Sequence, residues 1–252
     1  MNELTVIKAG TGVLTRVEDG MLDGAALVRL VTAIAGLFEA GQRCVLVSSG
    51  AVGAGVSAFG LAGYPDDLVT RQACAAVGQA RLMHTYENLF RNFGISVAQV
   101  LLAGGDLQTS ERAECVRNTL RQLLNTDGIL PILNENDSVA VEELRVGDND
   151  MLSARVARLL GARRLILLTS VDGLLDPGTD QLIPEVTDLD AVEGFVRHER
   201  GRFSIGGMAS KLKAVRMAVE CGIETHIAHG RRPERLSRIL AGESGVSTRF
   251  PA

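Results

Sequence analysis

The chain has 252 residues, of which 46% are hydrophobic and 22% charged; this ordinary globular composition excludes a disordered or fibrous protein. No run of about 18 apolar residues occurs, which excludes a transmembrane helix, and a net charge of −4 with no basic stripe and no Trp argues against nucleic-acid binding as the main task. Four scattered cysteines without CxxC spacing fit free thiols in a reducing cytoplasm, with Cys44, Cys74 and Cys221 in apolar contexts that read as core.

The N-terminus runs straight into Leu4-Thr5-Val6-Ile7-Lys8, a β-rich stretch with no signal peptide ahead of it. Ala9-Gly10-Thr11-Gly12 follows. Two glycines directly after a strand let backbone N–H groups approach a phosphate, and Lys8 adds positive charge there. A tight turn with a solvated lysine is the plainer alternative. Residues 23–40 carry Leu27, Leu30, Val31, Ile34, Leu37 and Phe38 at helical spacing, and Gly41 stops the helix. Residues 44–47 form the next strand and feed Ser48-Ser49-Gly50-Ala51-Val52-Gly53-Ala54-Gly55, a second glycine-rich loop. Residues 53–58 match a G-x-G-x-x-A dinucleotide pattern, but residues 59–74 supply no second strand for it. The Walker lysine pattern is absent, so this is not a P-loop protein.

Residues 67–91 read as a long helix, 96–102 as a strand, 110–125 as a helix with Ser110 as its N-cap, and 129–133 as a buried strand. Asn134-Glu135-Asn136-Asp137 stands at that strand's exit. Gly147-Asp148-Asn149-Asp150 stands at the start of a helix over 148–160, where Asp148 or Asn149 suits an N-cap. Ligands of open parallel sheets bind at such carboxyl ends, although two polar surface turns would look the same. Residues 138–146 suit a hairpin over the site. A buried strand over 164–168 leads into Thr169-Ser170, residues 176–178 make a turn, and 178–207 read as a polar, irregular surface segment. Gly206-Gly207 then opens a helix reaching Cys221. Such a helix start is an anion site, and Lys211 in its first turn opposes the helix dipole unless an anion is near. Residues 224–228, 233–240 and 246–250 read as strand, helix and strand, with His226 and His229 structural. The alternation predicts an α/β fold: one domain over 1–252, a mostly parallel sheet with helices on both faces in three layers.

Glycine-rich turns, two lysines and close-spaced aspartates suit phosphoryl transfer, which needs positioning and charge neutralisation more than covalent chemistry. Lys8 and Lys211 would flank the moving group and an aspartate would hold them. Mg²⁺ would be carried by nucleotide phosphates and water, with no protein metal site.

Lys8-Ala9-Gly10-Thr11-Gly12, residues 47–55, Asn134-Glu135-Asn136-Asp137, Gly147-Asp148-Asn149-Asp150, Thr169-Ser170 and residues 206–212 together resemble the glutamate 5-kinase family of the amino acid kinase superfamily. The resemblance runs through essentially the whole chain, and NEND followed by GDND is its specific part. It implies ATP- and Mg²⁺-dependent phosphorylation of the L-glutamate γ-carboxylate, the first step of proline synthesis. Proline is implied as a feedback inhibitor, and the protein is expected to be a cytoplasmic homo-oligomer. By motif, Lys8 and Lys211 contact the ATP phosphates and Asp150 orients both lysines. Gly10 and Gly50 offer N–H groups to the phosphoryl; Ser49, Gly50, Asp137 and Asn149 bind glutamate. Thr169, Ser170, Ile205, Gly206, Gly207, Met208, Ala209, Ser210 and Lys211 line the nucleotide site. The chain departs from the family at Gly12, often Ser, at Ser170, usually Asp, and at Ser204-Ile205, usually Gly-Thr. Many members carry a C-terminal PUA domain, which this chain is expected to lack. A sister kinase for N-acetylglutamate, carbamate or a nucleoside monophosphate, and a non-catalytic nucleotide-binding regulator, are the competing readings.

Overall fold

The computed structural model of the chain describes residues 3–103, 105–139, 149–194 and 207–252. In order, the elements are β1 Leu4–Ala9, α1 Thr11–Leu14, α2 Gly24–Glu39, β2 Arg43–Ser48, α3 Ala51–Val56, α4 Leu68–Arg91, β3 Ser96–Leu102, α5 Ser110–Leu124, β4 Ile129–Glu135, α6 Asn149–Leu160, β5 Arg164–Thr169, α7 Asp190–Glu193, α8 Met208–Glu220, β6 Glu224–His229, α9 Arg235–Leu240 and β7 Thr248–Phe250. The strands make one seven-stranded sheet in the order β3-β4-β2-β1-β5-β6-β7. All pairings are parallel except that of β6 with β7. Among the described residues, no helix is long and apolar enough to cross a membrane.

The sheet buries both faces, so its central strands are continuous apolar runs. Side chains still alternate between faces. Ile7, Leu46, Ile132 and Ile166 pack against α2, α4 and α9 through Leu30, Ile34, Leu82, Tyr86, Phe90 and Leu236. Val6, Val45, Leu133, Leu165 and Leu167 pack on the other face against α5, α6 and α8 through Leu120, Ala154, Ala157, Leu212 and Val215. This three-layer arrangement is the expected one. Strand β1 has β2 on one side and β5 on the other, so the chain winds outward in both directions from β1. Connections leaving β1 and β5 diverge there and open a crevice at the carboxyl ends of the strands.

Several local expectations need correction. The second glycine-rich stretch is not a loop beyond Gly50: residues 51–56 are the helix α3. Its glycines serve close packing instead. A Cβ on Gly55 would lie 2.0 Å from the Cys74 carbonyl oxygen, and one on Gly78 of α4 would lie 1.8 Å from that of Ala51. Asn134 and Glu135 do not follow the strand but belong to it, because β4 continues its ladder with Leu101 and Leu102 of β3. Thr109, not Ser110, precedes the first turn of α5. Asp23 and Asp67 cap α2 and α4 by accepting from Ala26 N and Thr70 N. Asn149 is already helical. Cys221 is exposed at the end of α8, whereas Cys44 and Cys74 are buried. Within 178–194 the chain is less irregular than expected: Val186 and Val192 are buried and α7 forms. Residues 137–139 make a 3-10 turn; the rest of the proposed hairpin, 140–146, lies outside the described residues.

The α3–α4 contact carries a direct consequence. Gly78→Ala forces a methyl into backbone that cannot yield like a side-chain tip. Overpacking of this kind costs about 1–3 kcal/mol or more. Thermal unfolding should show a lowered midpoint for Gly78→Ala, against little change for an alanine at the open position Gly63.

Candidate active site

Strand alternation decides where Lys8 goes. It shares a face with Val6, the face covered by α6 and α8. Asp150 lies in the first turn of α6 and Lys211 in the first turn of α8. The three meet: Lys8 Nζ is 2.5 Å from Asp150 Oδ1, and Lys211 Nζ donates to Asp150 Oδ2 at 3.1 Å. Lys8, Asp150 and Lys211 are only 5%, 1% and 7% exposed. Burial opposes ionisation of Asp150, yet the ammonium groups of Lys8 and Lys211 override it and hold the carboxyl below its usual range. Two cations against one anion leave net positive charge at the crevice. Gly10 follows immediately, and a Cβ there would lie 3.1 Å from Lys8 Nζ. Glycine at this position leaves the ammonium open to a ligand. Gly10 has ordinary extended backbone. Gly50 differs: its φ of 101° is left-handed, which glycine adopts without strain.

A second group of polar side chains adjoins the first where the start of α6 meets the ends of β2 and β4. Asn134 shares a face with Leu130 and Ile132, which points it toward α4. Its Nδ2 donates to Gln79 Oε1 on α4 at 2.9 Å. Asn149 Nδ2 donates to Ser49 Oγ at 2.9 Å, Asn134 Oδ1 at 2.8 Å and the Ser48 carbonyl at 3.3 Å. Ser48 Oγ in turn pairs with the fully buried Tyr86 hydroxyl at 2.8 Å. Asp137 follows β4, half-buried beside α4. Burial raises its carboxyl to about 6.

The expected residues therefore fall into groups. Lys8, Gly10, Asp150 and Lys211 come together, as do Ser49 and Asn149. Thr169 ends β5, next to β1, and Ser170 is exposed beyond it. Gly207 starts α8, and Met208, Ala209 and Ser210 form its first turn ahead of Lys211. Ile205 and Gly206 lie outside the described residues, as does Asp148. Asn134, Ser48 and Gln79 were assigned no role from sequence. Gln79 carried a faint signal: a glutamine among Ala75, Gly78 and Leu82, all buried at helical spacing. His226 is structural as expected, held between Ser247 Oγ at 3.0 Å and Glu224 Oε1 at 3.2 Å.

A family model described as the amino acid kinase family matches residues 3–229. A glutamate 5-kinase of Synechococcus elongatus is 46% identical over 97% of this chain, which spans 68% of that protein. A glutamate 5-kinase of Symbiobacterium thermophilum is 45% identical, again over 97% of this chain and over 94% of its own length. The chain belongs to the glutamate 5-kinase branch of the amino acid kinase family. Solved structures agree on the amino acid kinase fold. A carbamate kinase from Giardia lamblia bound to AMP-PNP superposes with a TM-score of 0.67 at 15% identity, over 99% of this chain and 98% of that one. A UMP kinase from Bacillus anthracis superposes with a TM-score of 0.62 at 14% identity, over 99% and 96%.

Proposed function

We propose that the protein is a glutamate 5-kinase: it moves the γ-phosphoryl group of ATP to the γ-carboxylate of free L-glutamate, giving γ-glutamyl phosphate and ADP, the first step of proline biosynthesis. The observation that carries this reading is the buried Lys8–Asp150–Lys211 triplet at the carboxyl ends of the strands. A carboxylate oxygen attacks the γ-phosphorus as the bond to the β-phosphate oxygen breaks. The acceptor is already ionised, so no general base is needed, and an aspartate tied to two lysines suits that chemistry. Lys8 and Lys211 spread the charge growing on the phosphoryl oxygens, with the backbone N–H groups of Gly10 and Gly50 beside it. Thr169, Ser170 and residues 205–210 complete the nucleotide site.

A magnesium ion, when bound, would be held by nucleotide phosphates and water and would neutralise phosphate charge. Engagement of the Asp150 carboxylate with two lysines supports this. Ser49, Asp137 and Asn149 receive the amino-acid head of glutamate. Proline, which shares that head, competes for the same place. Four free cysteines support a cytoplasmic enzyme.

ADP release measured with glutamate and with N-acetylglutamate tests the reading. Glutamate should be strongly preferred, because N-acetylation removes the ammonium that Asp137 would bind. With Asp137 titrating at about 6 in the free enzyme, kcat/KM for glutamate should fall as pH drops through that value. Equal turnover of both acids would transfer the protein to a sister activity.

A further inference from the structure

Gln79 lies on α4, 55 residues before Asn134, and no motif includes it. It nonetheless terminates a directed chain of hydrogen bonds that reaches Asn149. The direction of that chain is forced. The Ser48 carbonyl can only accept, so Asn149 must turn its NH₂ toward it. The same NH₂ then meets Asn134, which must answer with its oxygen. Asn134 is thereby left with its own NH₂ toward α4, and Gln79 answers with Oε1. At the far end, the Glu135 N–H donates to Asn149 Oδ1 at 3.4 Å, which agrees with this orientation. Asn134 and Asn149 are 2% and 8% exposed, so water cannot readily stand in for a lost partner.

We propose that Gln79 is a positioning residue: the backbone of Ser48 and Glu135 fixes the polarity of Asn149, and Gln79 anchors Asn134, the side chain that holds the Asn149 amide in place for the substrate. This rests on the glutamate reading and deepens it. Without Gln79, Asn134 loses its anchor on α4 and the Asn149 amide, assigned to the amino-acid head of glutamate, is held less firmly. The relay is thus a specificity element for free α-amino acids, operating from a helix that need not touch the substrate.

Three variants separate this role from simple packing. Gln79→Glu keeps an acceptor toward Asn134; Gln79→Leu keeps bulk but removes the acceptor; Gln79→Ala serves if the leucine variant fails to fold. Gln79→Leu should raise the glutamate KM about tenfold, the size of one net hydrogen bond. Its kcat and its ATP KM should stay within about twofold of wild type, and its preference for glutamate over N-acetylglutamate should narrow. Gln79→Glu should bind glutamate as wild type does. A folded Gln79→Leu or Gln79→Ala with unchanged glutamate KM overturns the proposal, as does equal impairment by leucine and glutamate. Side-chain NH₂ exchange of Asn134 and Asn149, followed by NMR without ligand, reads the relay independently of turnover. Protection of the Asn134 NH₂ should persist in wild type and Gln79→Glu and be lost in Gln79→Leu, while Asn149, still bonded to Ser48 and Ser49, serves as the internal reference. If wild type fails to phosphorylate glutamate, the proposed function falls, while this exchange pattern still decides whether the relay exists; unchanged Asn134 protection in Gln79→Leu refutes it.

Discussion

Replacing Lys211 with alanine is expected to lower kcat by about 10²–10³ while leaving the glutamate KM nearly unchanged. The magnitude is that of one well-placed donor acting on transition-state charge. The split between kcat and KM follows because charge on the transferring phosphoryl oxygens is larger in the transition state than in bound ATP. Burial supports the assignment. A solvated lysine at a helix start could be removed at almost no cost, but Lys211 is 7% exposed and bonded to Asp150. The fold should survive, since Lys8 still compensates Asp150 in the variant. Steady-state kinetics on folded Lys211→Ala decide the matter: a kcat near that of wild type would remove α8 from the chemistry.

Asp150→Asn is expected to damage stability and activity together. The substitution keeps size and shape but withdraws the negative charge from between two buried ammonium groups. Breaking a buried ion pair by neutralising one partner typically costs about 3–5 kcal/mol, because the remaining charge is stranded. In a protein of this size that is a fall in melting temperature of roughly 2–4 °C per kcal/mol. ATP or inorganic phosphate should recover part of the loss by supplying the missing negative charge. The pH dependence has a definite sign. The folded carboxyl titrates below its usual 3.8, so its contribution is fully present above that value and is lost as pH falls through the folded value. The stability gap between wild type and Asp150→Asn should therefore be flat at neutral pH and close only in acid. Differential scanning calorimetry across pH, with and without phosphate, measures all of this. A variant as stable as wild type at neutral pH would show that the lysines do not depend on Asp150.

Much of this was legible in the residues. Apolar runs and helical stripes located the strands and long helices, because burial on both sheet faces and on one helix stripe leaves those patterns directly in the chain. Lys8, Asp150 and Lys211 were legible for another reason: each sits beside a strand end or helix start whose glycine or cap residues advertise it. Gln79 was not, since its partner is 55 positions away and only the crossing of α4 over β4 brings them together. The helix at 51–56 was missed because its glycines look like loop residues, while their use is to let α3 and α4 touch backbone to backbone. The reach of β4 through Glu135 was missed because asparagine and glutamate disguise a strand whose ladder is completed by β3.

The alternation of side chains along the strands has an evolutionary reading. Lys8 points into the layer of α6 and α8, whereas Ser48 and Asn134, on nearby strands, point into the layer of α4. The sheet thus separates the Lys8–Asp150–Lys211 cluster from the Ser48, Asn134 and Gln79 side chains, and Asn149 at the start of α6 joins the two. Substitutions on the α4 side touch neither of the two lysines nor their aspartate directly. A lineage built on this plan can diversify its substrates one layer at a time, keeping a single engine while exchanging what it drives.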